Sequence, residues 1–479
     1  MNDLTFCNVE TLATKIKEHE VSPVEVASQC IDRIKELQPE LNAIAYFDEA
    51  DVLKQAKEAE HEIMNGSYKG LLHGIPVAYK DLYYIKGIPT TAGSKVLKDF
   101  VPDRNATIVN RMFKAGTVLL GKTNTQEFAI GPTSEDSIFG PTRNPWNPKK
   151  IPGGSSGGSA VAAATGMAYI AMGTDTGGSI RIPSSMCGVV GYKPTYGLTS
   201  LNGIVPMSMS MDCAGPLCRS VKDAAIAVDA ITGTDYDDPC PKPIRGGHTD
   251  FYQQIKDVDD LKEFKIGVPT NFFLEKTDYA VEKIYKEVIS KLKELHAEII
   301  EVQVPLLELL DATGDCLVFC GATYLHRKWY PKYKDLYSEG VADRLAEGFK
   351  YSAIQYVEAE DNRTKMKLAW EKIFRELNLN AMIIPTCPIE AFDIGLPKPW
   401  LIESRGHQEY GKAMCSRHTR LANVLECPAL TIPGGLTDHN LPVGVMLMGC
   451  KYGDADILKV GAAYEKHYSY PQVDITKIK

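Results

Sequence analysis

Short, uninterrupted apolar runs alternate with longer helical patterns along this chain, and this alternation limits the folds open to it. A run of about four to eight apolar residues is typical of a strand buried on both faces. Helical patterns between the runs include Ala280–His296 and Ala342–Leu377. The alternation predicts an α/β protein whose central sheet is covered by helices on both faces. The runs are Ile75–Tyr79, Thr117–Leu120, Phe264–Val268, Met382–Ile384, Pro428–Ile432 and Val443–Met448.

Local signals place two helices near the start of the chain. Ser22-Pro23-Val24-Glu25 is a capping box with proline at the first helical position, and the helix it begins is expected to stop before Pro39. A second helix is expected over Ala106–Ala115. Residues Gly233–Asp257 are rich in Asp, Pro and Gly and are expected to form a surface excursion. Because no repeat or flexible linker interrupts the chain, we predict a single domain over residues 1–479.

Charge and composition argue against several function classes. The 479 residues carry a formal net charge of −8 and no long basic run, so we expect no nucleic-acid partner. No stretch of about 18 apolar residues occurs and the first residues lack a signal-peptide pattern, so we expect neither a membrane span nor secretion. The 12 cysteines form no CxxC pair and the histidines no HxxxH pair. These patterns predict a cytoplasmic protein that holds no metal and no cofactor.

Glycines and serines are concentrated between residues 153 and 181. Gly153–Ser159 is followed by a small-residue helix, expected over Ala160–Ala168, and then by Gly173–Arg181. Neither a P-loop lysine nor a GxGxxG fingerprint accompanies these glycines, which disfavours nucleotide binding, although a tightly packed turn would also explain them. Glycines keep side chains away from backbone N–H groups. Those of Thr176 to Ser179 could therefore stabilise an oxyanion beside the Ser179 hydroxyl.

A serine nucleophile needs a base, and a lysine can serve. No histidine occurs between His73 and His248, and lysine replaces histidine in Ser-Lys variants of the catalytic triad. Lys80 follows the buried run Gly74–Tyr79, where burial would favour its neutral form. The alternative reading is that Lys80 points inward only to pair with Asp81.

Two other serine motifs compete with this interpretation. Gly153, Ser155 and Gly157 satisfy GxSxG, but that nucleophile elbow needs a preceding strand, and the prolines around residues 148–152 disfavour one. Ser290–Lys293 matches SxxK of the penicillin-binding type. It lies within an amphipathic helical pattern, which favours a solvated helix face.

Three segments together resemble the amidase signature family. They occur in the family's order, and a weaker likeness extends from about Thr11 to about Tyr470, with a signature core at about residues 70–220. The resemblance implies the amidase-signature fold with a central mixed sheet. The segments are Gly74–Asp81, Gly153–Arg181 and Cys187–Thr195.

The resemblance also implies a site. By motif position, Ser179 is the nucleophile, Ser155 the bridging serine after a cis peptide bond, and Lys80 the base. The backbone of Thr176, Gly177 and Gly178 would join that of Ser179 in the oxyanion hole, and Asp175 and Arg181 would support this turn from behind.

The substrate is less constrained than the chemistry. Phe128–Gly131 and Asn144-Pro145-Trp146 are similar to the A subunit of the glutamyl-tRNA amidotransferases, and Phe128, Ala129, Ile130 and Gly131 are candidate pocket residues. Ser416 stands where that subunit carries an aspartate for the glutamine amino group, which argues against glutamine. Arg417 and His418 are candidate contacts for an anionic or polar substrate, with a solvated or structural role as the alternative for each.

The preferred function is therefore that of a free-standing enzyme that cleaves a small-molecule amide through an acyl-enzyme. Three alternatives stay open: a glutaminase subunit of an amidotransferase, a carbamate or ester hydrolase, and a non-catalytic scaffold subunit. The sequence carries no information on the oligomeric state.

Overall fold

The computed structural model describes residues 4–244, 246–397 and 399–478. Its strands are β1 (Ile44–Tyr46), β2 (Pro76–Lys80), β3 (Val118–Thr123), β4 (Ile170–Asp175), β5 (Val190–Lys193), β6 (Cys213–Cys218), β7 (Lys265–Pro269), β8 (Glu298–Val302), β9 (Ala381–Pro385), β10 (Leu401–Ser404), β11 (His407–Tyr410), β12 (Ala429–Leu436) and β13 (Pro442–Met448).

The α-helices are α1 (Val9–Lys17), α2 (Pro23–Leu41), α3 (Glu49–Met64), α4 (Thr107–Lys114), α5 (Gly157–Ala164), α6 (Arg181–Cys187), α7 (Val221–Ile231), α8 (Phe251–Ile255), α9 (Tyr279–Glu294), α10 (Leu310–His326), α11 (Tyr330–Tyr333), α12 (Glu339–Gly348), α13 (Ala353–Leu377), α14 (Gly411–Ser416), α15 (Arg420–Val424) and α16 (Asp454–His467). Short 3-10 helices occupy Lys95–Leu97, Glu127–Ala129, Leu307–Leu309, Lys334–Leu336 and Ile475–Lys477. Among the described helices, none is both long and apolar enough to cross a membrane.

One mixed sheet forms the centre of the molecule. Within the described residues it has 11 strands in the order β1-β3-β2-β4-β6-β5-β12-β13-β9-β7-β8, and β10 and β11 form a separate hairpin. Strands β2, β3 and β4 are parallel, as are β7, β8 and β9, whereas β4, β6, β5, β12, β13 and β9 pair antiparallel in turn. The α/β prediction with a central mixed sheet is confirmed.

Burial explains why helices lie on both faces of this sheet. Every residue of β2, β3, β4, β6, β9 and β13 is buried, and side chains of a strand alternate between faces, so both faces must be covered. Helices α5, α6, α7, α9 and α16 supply this cover. All six apolar runs predicted as strands lie on strands.

Three predicted helix boundaries are wrong. Helix α2 continues through Pro39 to Leu41, because a proline in the last turn removes only one intrahelical hydrogen bond, and the helix ends where Asn42 turns left-handed. The pattern from Ala342 to Leu377 is two helices, since Ser352 caps a new one, α13. The small-residue helix begins at Gly157 and ends at Ala164, before Gly166 adopts a positive φ.

The order of strands in the sheet brings the candidate site residues to one edge. Strands β2 and β4 are parallel neighbours, with Tyr79 paired to Met172, so their carboxyl ends meet at one edge. Lys80 ends β2 and Asp175 ends β4. Helix α5 precedes β4 and packs on both strands, which brings the residues before Gly157 to the same edge.

Candidate active site

The Lys80 amine lies in the interior, surrounded by hydroxyl groups. Lys80 is fully buried, and its Nζ donates to Ser155 Oγ at 2.7 Å, Ser156 Oγ at 2.9 Å and Thr174 Oγ1 at 2.9 Å. In the described part of the chain, no carboxylate oxygen lies within ion-pair distance of this nitrogen. The amine is therefore held by three neutral partners, which stabilise a positive charge far less than a carboxylate would.

This environment lowers the basicity of the amine. Burial lowers the pKa of Lys80 to about 7, while the more distant charges of Asp175 and Asp212 act in the opposite direction. A buried amine with this pKa is partly uncharged at neutral pH and can accept a proton.

Asp81 pairs with a different lysine from Lys80, the partner that the sequence analysis considered. Lys122, also buried, places its Nζ 2.6 Å from Asp81 Oδ1. The interpretation of Lys80 as a structural lysine paired with Asp81 is therefore wrong.

The loop before α5 fixes Ser155. The peptide bond between Gly154 and Ser155 is cis. The carbonyl oxygen of Ser155 accepts hydrogen bonds from the Thr125 hydroxyl at 2.9 Å and from the Gln126 N–H at 3.1 Å. These bonds hold the backbone, so the Ser155 hydroxyl keeps its position against Lys80.

Sequence reasoning missed two hydroxyl residues of this cluster. Ser156 and Thr174 contact Lys80 as closely as Ser155 does, and Ser156 Oγ also donates to the Thr174 carbonyl at 3.2 Å. Both residues lie within the glycine-rich motifs, but nothing in those motifs marked them as neighbours of Lys80.

Ser179 follows the turn after β4 and faces a cavity. It is 7% exposed and lines a pocket of about 420 Å³ together with Gly177 and Ile182. Its carbonyl accepts the Ser156 N–H at 3.2 Å, which ties the two loops together. Among the described residues, the Ser155 and Ser179 hydroxyls are not hydrogen-bonded to each other.

Asp175 and Arg181 hold the turn that carries Ser179. Both side chains are fully buried, and the Arg181 Nε and Nη2 atoms donate to the Asp175 carboxylate at 3.0 and 2.8 Å. The same carboxylate accepts the N–H groups of Gly178 at 2.9 Å and Ile180 at 3.1 Å. Burial raises the pKa of Asp175, but the charge and hydrogen bonds of Arg181 outweigh this effect and bring the pKa to about 2.

The Gly178 bond narrows the predicted set of oxyanion donors. The Gly178 N–H already donates to Asp175, so Gly178 does not match its predicted role as an oxyanion donor. The N–H groups of Gly177 and Ser179 have no acceptor within the described residues. Gly178 has a φ of +130°, and a Cβ there would lie 2.1 Å from Thr419 Oγ1, so the position requires glycine.

Only half of the predicted substrate segment reaches the pocket. Ala129 and Gly131 line it. Phe128 instead packs against His326, with ring centroids 4.4 Å apart, and Ile130 is fully buried in the hydrophobic core. Phe128 and Ile130 therefore do not line the pocket and instead pack behind the residues that do.

The two other candidate contacts are structural as well. His418 is buried, one ring nitrogen bonds the Pro385 carbonyl at 2.9 Å, and burial lowers its pKa to about 3. The Arg417 guanidinium lies 3.9 Å from the Phe272 ring centroid. Neither residue lines the pocket, whereas Ser416 does.

The pocket also contains charged side chains that the sequence analysis did not identify. They come from α10, α12, α14 and α15, which are separate stretches of the chain with no shared motif, so the sequence offered no signal to group them. They are Asp315, Asp343, Arg344, Glu347, Lys412 and Arg420. In the described ranges, no group of three His, Cys, Asp or Glu side chains is arranged to hold a metal ion.

The known proteins similar to this chain match it over nearly its whole length. The family model described as Amidase matches residues 25–458. The chain is 36% identical, over 97% of both sequences, to the A subunit of the glutamyl-tRNA(Gln) amidotransferase of Thermoanaerobacter pseudethanolicus. A native peptide amidase from Stenotrophomonas maltophilia superposes with a TM-score of 0.83 at 29% identity, covering 98% of this chain and 99% of that one. A chain from a vestigial protein complex linked to the origins of an s-triazine catabolic enzyme reaches 0.91 at 28% identity, over 98% and 100%.

Proposed function

The chain belongs to the amidase signature family, whose members hydrolyse amide C–N bonds, and from this premise we propose that Lys80, Ser155 and Ser179 cleave a small-molecule amide through an acyl-enzyme. The observation that carries the proposal is the buried Lys80 amine, 2.7 Å from Ser155 Oγ and held only by hydroxyl groups.

The mechanism follows from the direction of proton transfer. Uncharged Lys80 takes a proton from Ser155, which takes one from Ser179 as Ser179 Oγ attacks the amide carbonyl. The N–H groups of Gly177 and Ser179, which have no protein acceptor among the described residues, would stabilise the oxyanion. The proton returns through Ser155 to the leaving amine, and water then hydrolyses the acyl-enzyme by the same relay. The relay requires the Ser155–Ser179 contact to form in the substrate complex.

The pocket supports a small substrate. Its volume of about 420 Å³ lies at the lower end of the range of about 300–1,000 Å³ that is typical of small-molecule sites. Carbamates and esters present a similar carbonyl to the same nucleophile and are tested with the amides.

The test is turnover of a substrate panel by the purified chain. Aliphatic amides, anilides, carbamates, esters and glutamine are offered, and release of ammonia, amine or alcohol is measured. Ser179→Ala should lower kcat by about four orders of magnitude or more, whereas Ser290→Ala, which changes an exposed serine on α9, should not. A folded Ser179→Ala protein that keeps its activity would refute the assignment.

A second candidate function is that of a glutaminase subunit. It is favoured by the identity of 36% to an amidotransferase A subunit over nearly the whole chain. In that case the chain would work with partner subunits and release ammonia from glutamine. Glutaminase activity that appears only with a copurifying partner would favour this candidate over the free-standing amidase.

A further inference from the structure

A separate two-stranded hairpin forms part of the wall of the Ser179 pocket. Strands β10 and β11 pair antiparallel with each other, and within the described residues they form a sheet of their own. Trp400 immediately precedes β10, Tyr410 ends β11, and both residues line the pocket. A substrate in this pocket therefore meets an aromatic pair that the sequence analysis did not identify.

The aromatic pair lies nearer to solvent than the nucleophile does. Tyr410 is 38% exposed, whereas Ser179 and Ile182, which line the same pocket, are 7% and 1% exposed. This difference in exposure places the catalytic serine at the floor of the pocket and the aromatic pair at its mouth. A substrate whose carbonyl reaches Ser179 contacts the pair through a group that extends beyond the amide.

Contacts around Trp400 fix the orientation of its ring. The centroids of the Trp400 and Tyr410 rings lie 5.9 Å apart, with 63° between the ring planes. Lys412 Nζ lies 4.4 Å from the Trp400 ring centroid, and the Gly411 N–H donates to the Trp400 carbonyl at 3.0 Å. Because these contacts exist before a substrate binds, little conformational entropy is lost when one does.

Hydrogen bonds tie the hairpin to the start of α9. Arg405, in the turn of the hairpin, donates to the Thr277 carbonyl and to the Glu282 carboxylate. The Ser404 hydroxyl donates to the Asp278 carboxylate. The hairpin is therefore anchored on the body of the molecule, and the aromatic pair is a fixed part of the pocket wall.

Charge does not single out a substrate for this pocket. Three acidic and three basic side chains line it, and two of them, Asp315 and Arg420, pair at 2.7 Å. Recognition beyond the amide therefore depends on the apolar part of the wall. Besides the aromatic pair, this part includes Ile182, Met207, Val318 and Phe319.

We propose that Trp400 and Tyr410 bind an aromatic ring of the substrate, so that the enzyme prefers amides that carry an aryl group to aliphatic amides of the same size. Aromatic rings attract one another in offset or tilted arrangements by more than the burial of their area explains. Tyr410 already contacts Trp400 in a tilted arrangement, and a substrate ring at the mouth would extend this cluster. The inference rests on the proposed function and names its substrate class.

Binding of size-matched amides to Ser179→Ala tests this preference without turnover. Phenylacetamide is compared with cyclohexylacetamide, which places the ring on the acyl side of the amide. N-benzylacetamide is compared with N-(cyclohexylmethyl)acetamide, which places it on the amine side. Hydrophobic burial alone predicts no preference for the aryl compounds, because cyclohexyl groups are at least as large and apolar. Calorimetry should show that the aryl amide binds about 3- to 10-fold more tightly on one of the two sides.

Variants of the hairpin locate the effect. In Ser179→Ala, adding Trp400→Leu or Tyr410→Leu should reduce the preference for the aryl amide to about 2-fold or less, whereas Trp400→Phe keeps a ring and should retain most of it. Tyr279→Leu is the matched control. Tyr279 is 71% exposed and its ring centroid lies 4.4 Å from the Arg405 guanidinium, so this variant removes a ring that contacts the hairpin without lining the pocket. It should leave the preference unchanged, and thermal unfolding verifies that each variant is folded.

The outcomes separate this inference from the proposed function. Equal affinities for aryl and cyclohexyl amides on both sides, no measurable binding of either aryl amide, or a preference that persists in folded Trp400→Leu and Tyr410→Leu would overturn the aromatic inference. Each of these results is compatible with amide hydrolysis by the wild-type protein. Failure of the proposed function is seen differently, as turnover that survives Ser179→Ala.

Discussion

At the scale of single residues, the properties of Lys80 come from its surroundings and not from its sequence neighbours. The sequence placed it at the end of a buried strand, and this was enough to single it out. That Asp81 pairs with Lys122, and that Ser156 and Thr174 complete the hydroxyl cluster, depends on contacts between segments far apart in the chain. Such contacts leave no periodic signal, so the sequence could not show them.

The charge of Asp212 is predicted to raise the pKa of Lys80 without direct contact between the two side chains. Its buried carboxylate accepts hydrogen bonds from the Thr176 hydroxyl at 2.6 Å and the Met207 N–H at 2.9 Å, and its charge raises the pKa of Lys80. Asp212→Asn removes that charge, so the pKa of Lys80 should fall further and the uncharged amine should persist to lower pH. The acid limb of kcat/KM against pH should therefore move to lower pH.

A matched variant separates the charge of Asp212 from its hydrogen bond. Thr176→Val removes the bond to Asp212 and keeps the charge, so it should reduce kcat without moving the acid limb. An unshifted limb in folded Asp212→Asn would show that the carboxylate has only a structural role.

At the scale of elements, apolar runs predicted six of the 13 described strands, whereas several helix ends were predicted wrongly. Apolar runs mark strands because burial on both faces requires apolar side chains, whereas helix ends depend on single capping residues such as Ser352 and Asn42. The turn between β4 and α6 is the exception, because its glycines indicated a constrained backbone. The hydrogen bonds of this turn, including the one from the Gly178 N–H to Asp175, could not be predicted from the sequence.

That turn is predicted to tolerate a methyl group at Gly177 but not at Gly178. Gly178→Ala would place its Cβ 2.1 Å from Thr419 Oγ1 at a φ of +130°, and should lower the free energy of unfolding by about 3 kcal/mol. Nothing lies within 4 Å of a Cβ at Gly177, so Gly177→Ala should be nearly as stable as wild type. Urea unfolding measures both variants, and equal stabilities would contradict the steric account.

At the scale of the whole molecule, the order of the strands determines how the two halves of the chain are joined. Antiparallel pairing of β5 with β12 joins the half that holds Lys80, Ser155 and Ser179 to the half that holds most of the charged pocket residues. Sequence pattern alone could not give this order, and so could not assemble the pocket. One sheet draws strands from both ends of the chain, which supports the single domain that we propose for residues 1–479.

Arg181 is predicted to link the two halves. It bonds Asp175 in its own half and reaches the Thr419 carbonyl and the Asn423 side chain, each at 2.7 Å, in the other. Arg181→Met leaves the buried Asp175 charge unpaired and should cost about 3–5 kcal/mol of unfolding free energy. Denaturant unfolding of Arg181→Met and of Asp175→Asn with Arg181→Met should show that the double variant recovers part of the loss. Additive losses would show that the pair does not act as a unit.

The central claim is that an uncharged Lys80 activates Ser179 through Ser155. Its most direct test is the single-turnover rate at which an activated ester acylates Ser179, followed by mass spectrometry from about pH 5 to about pH 9. Protonation of Lys80 abolishes its role as base, so the rate should fall as pH drops through about 7, the pKa of Lys80, and Lys80→Met should be slow and lack this limb. A rate without a limb near this pH, or a folded Lys80→Met protein that keeps the limb, would contradict the account.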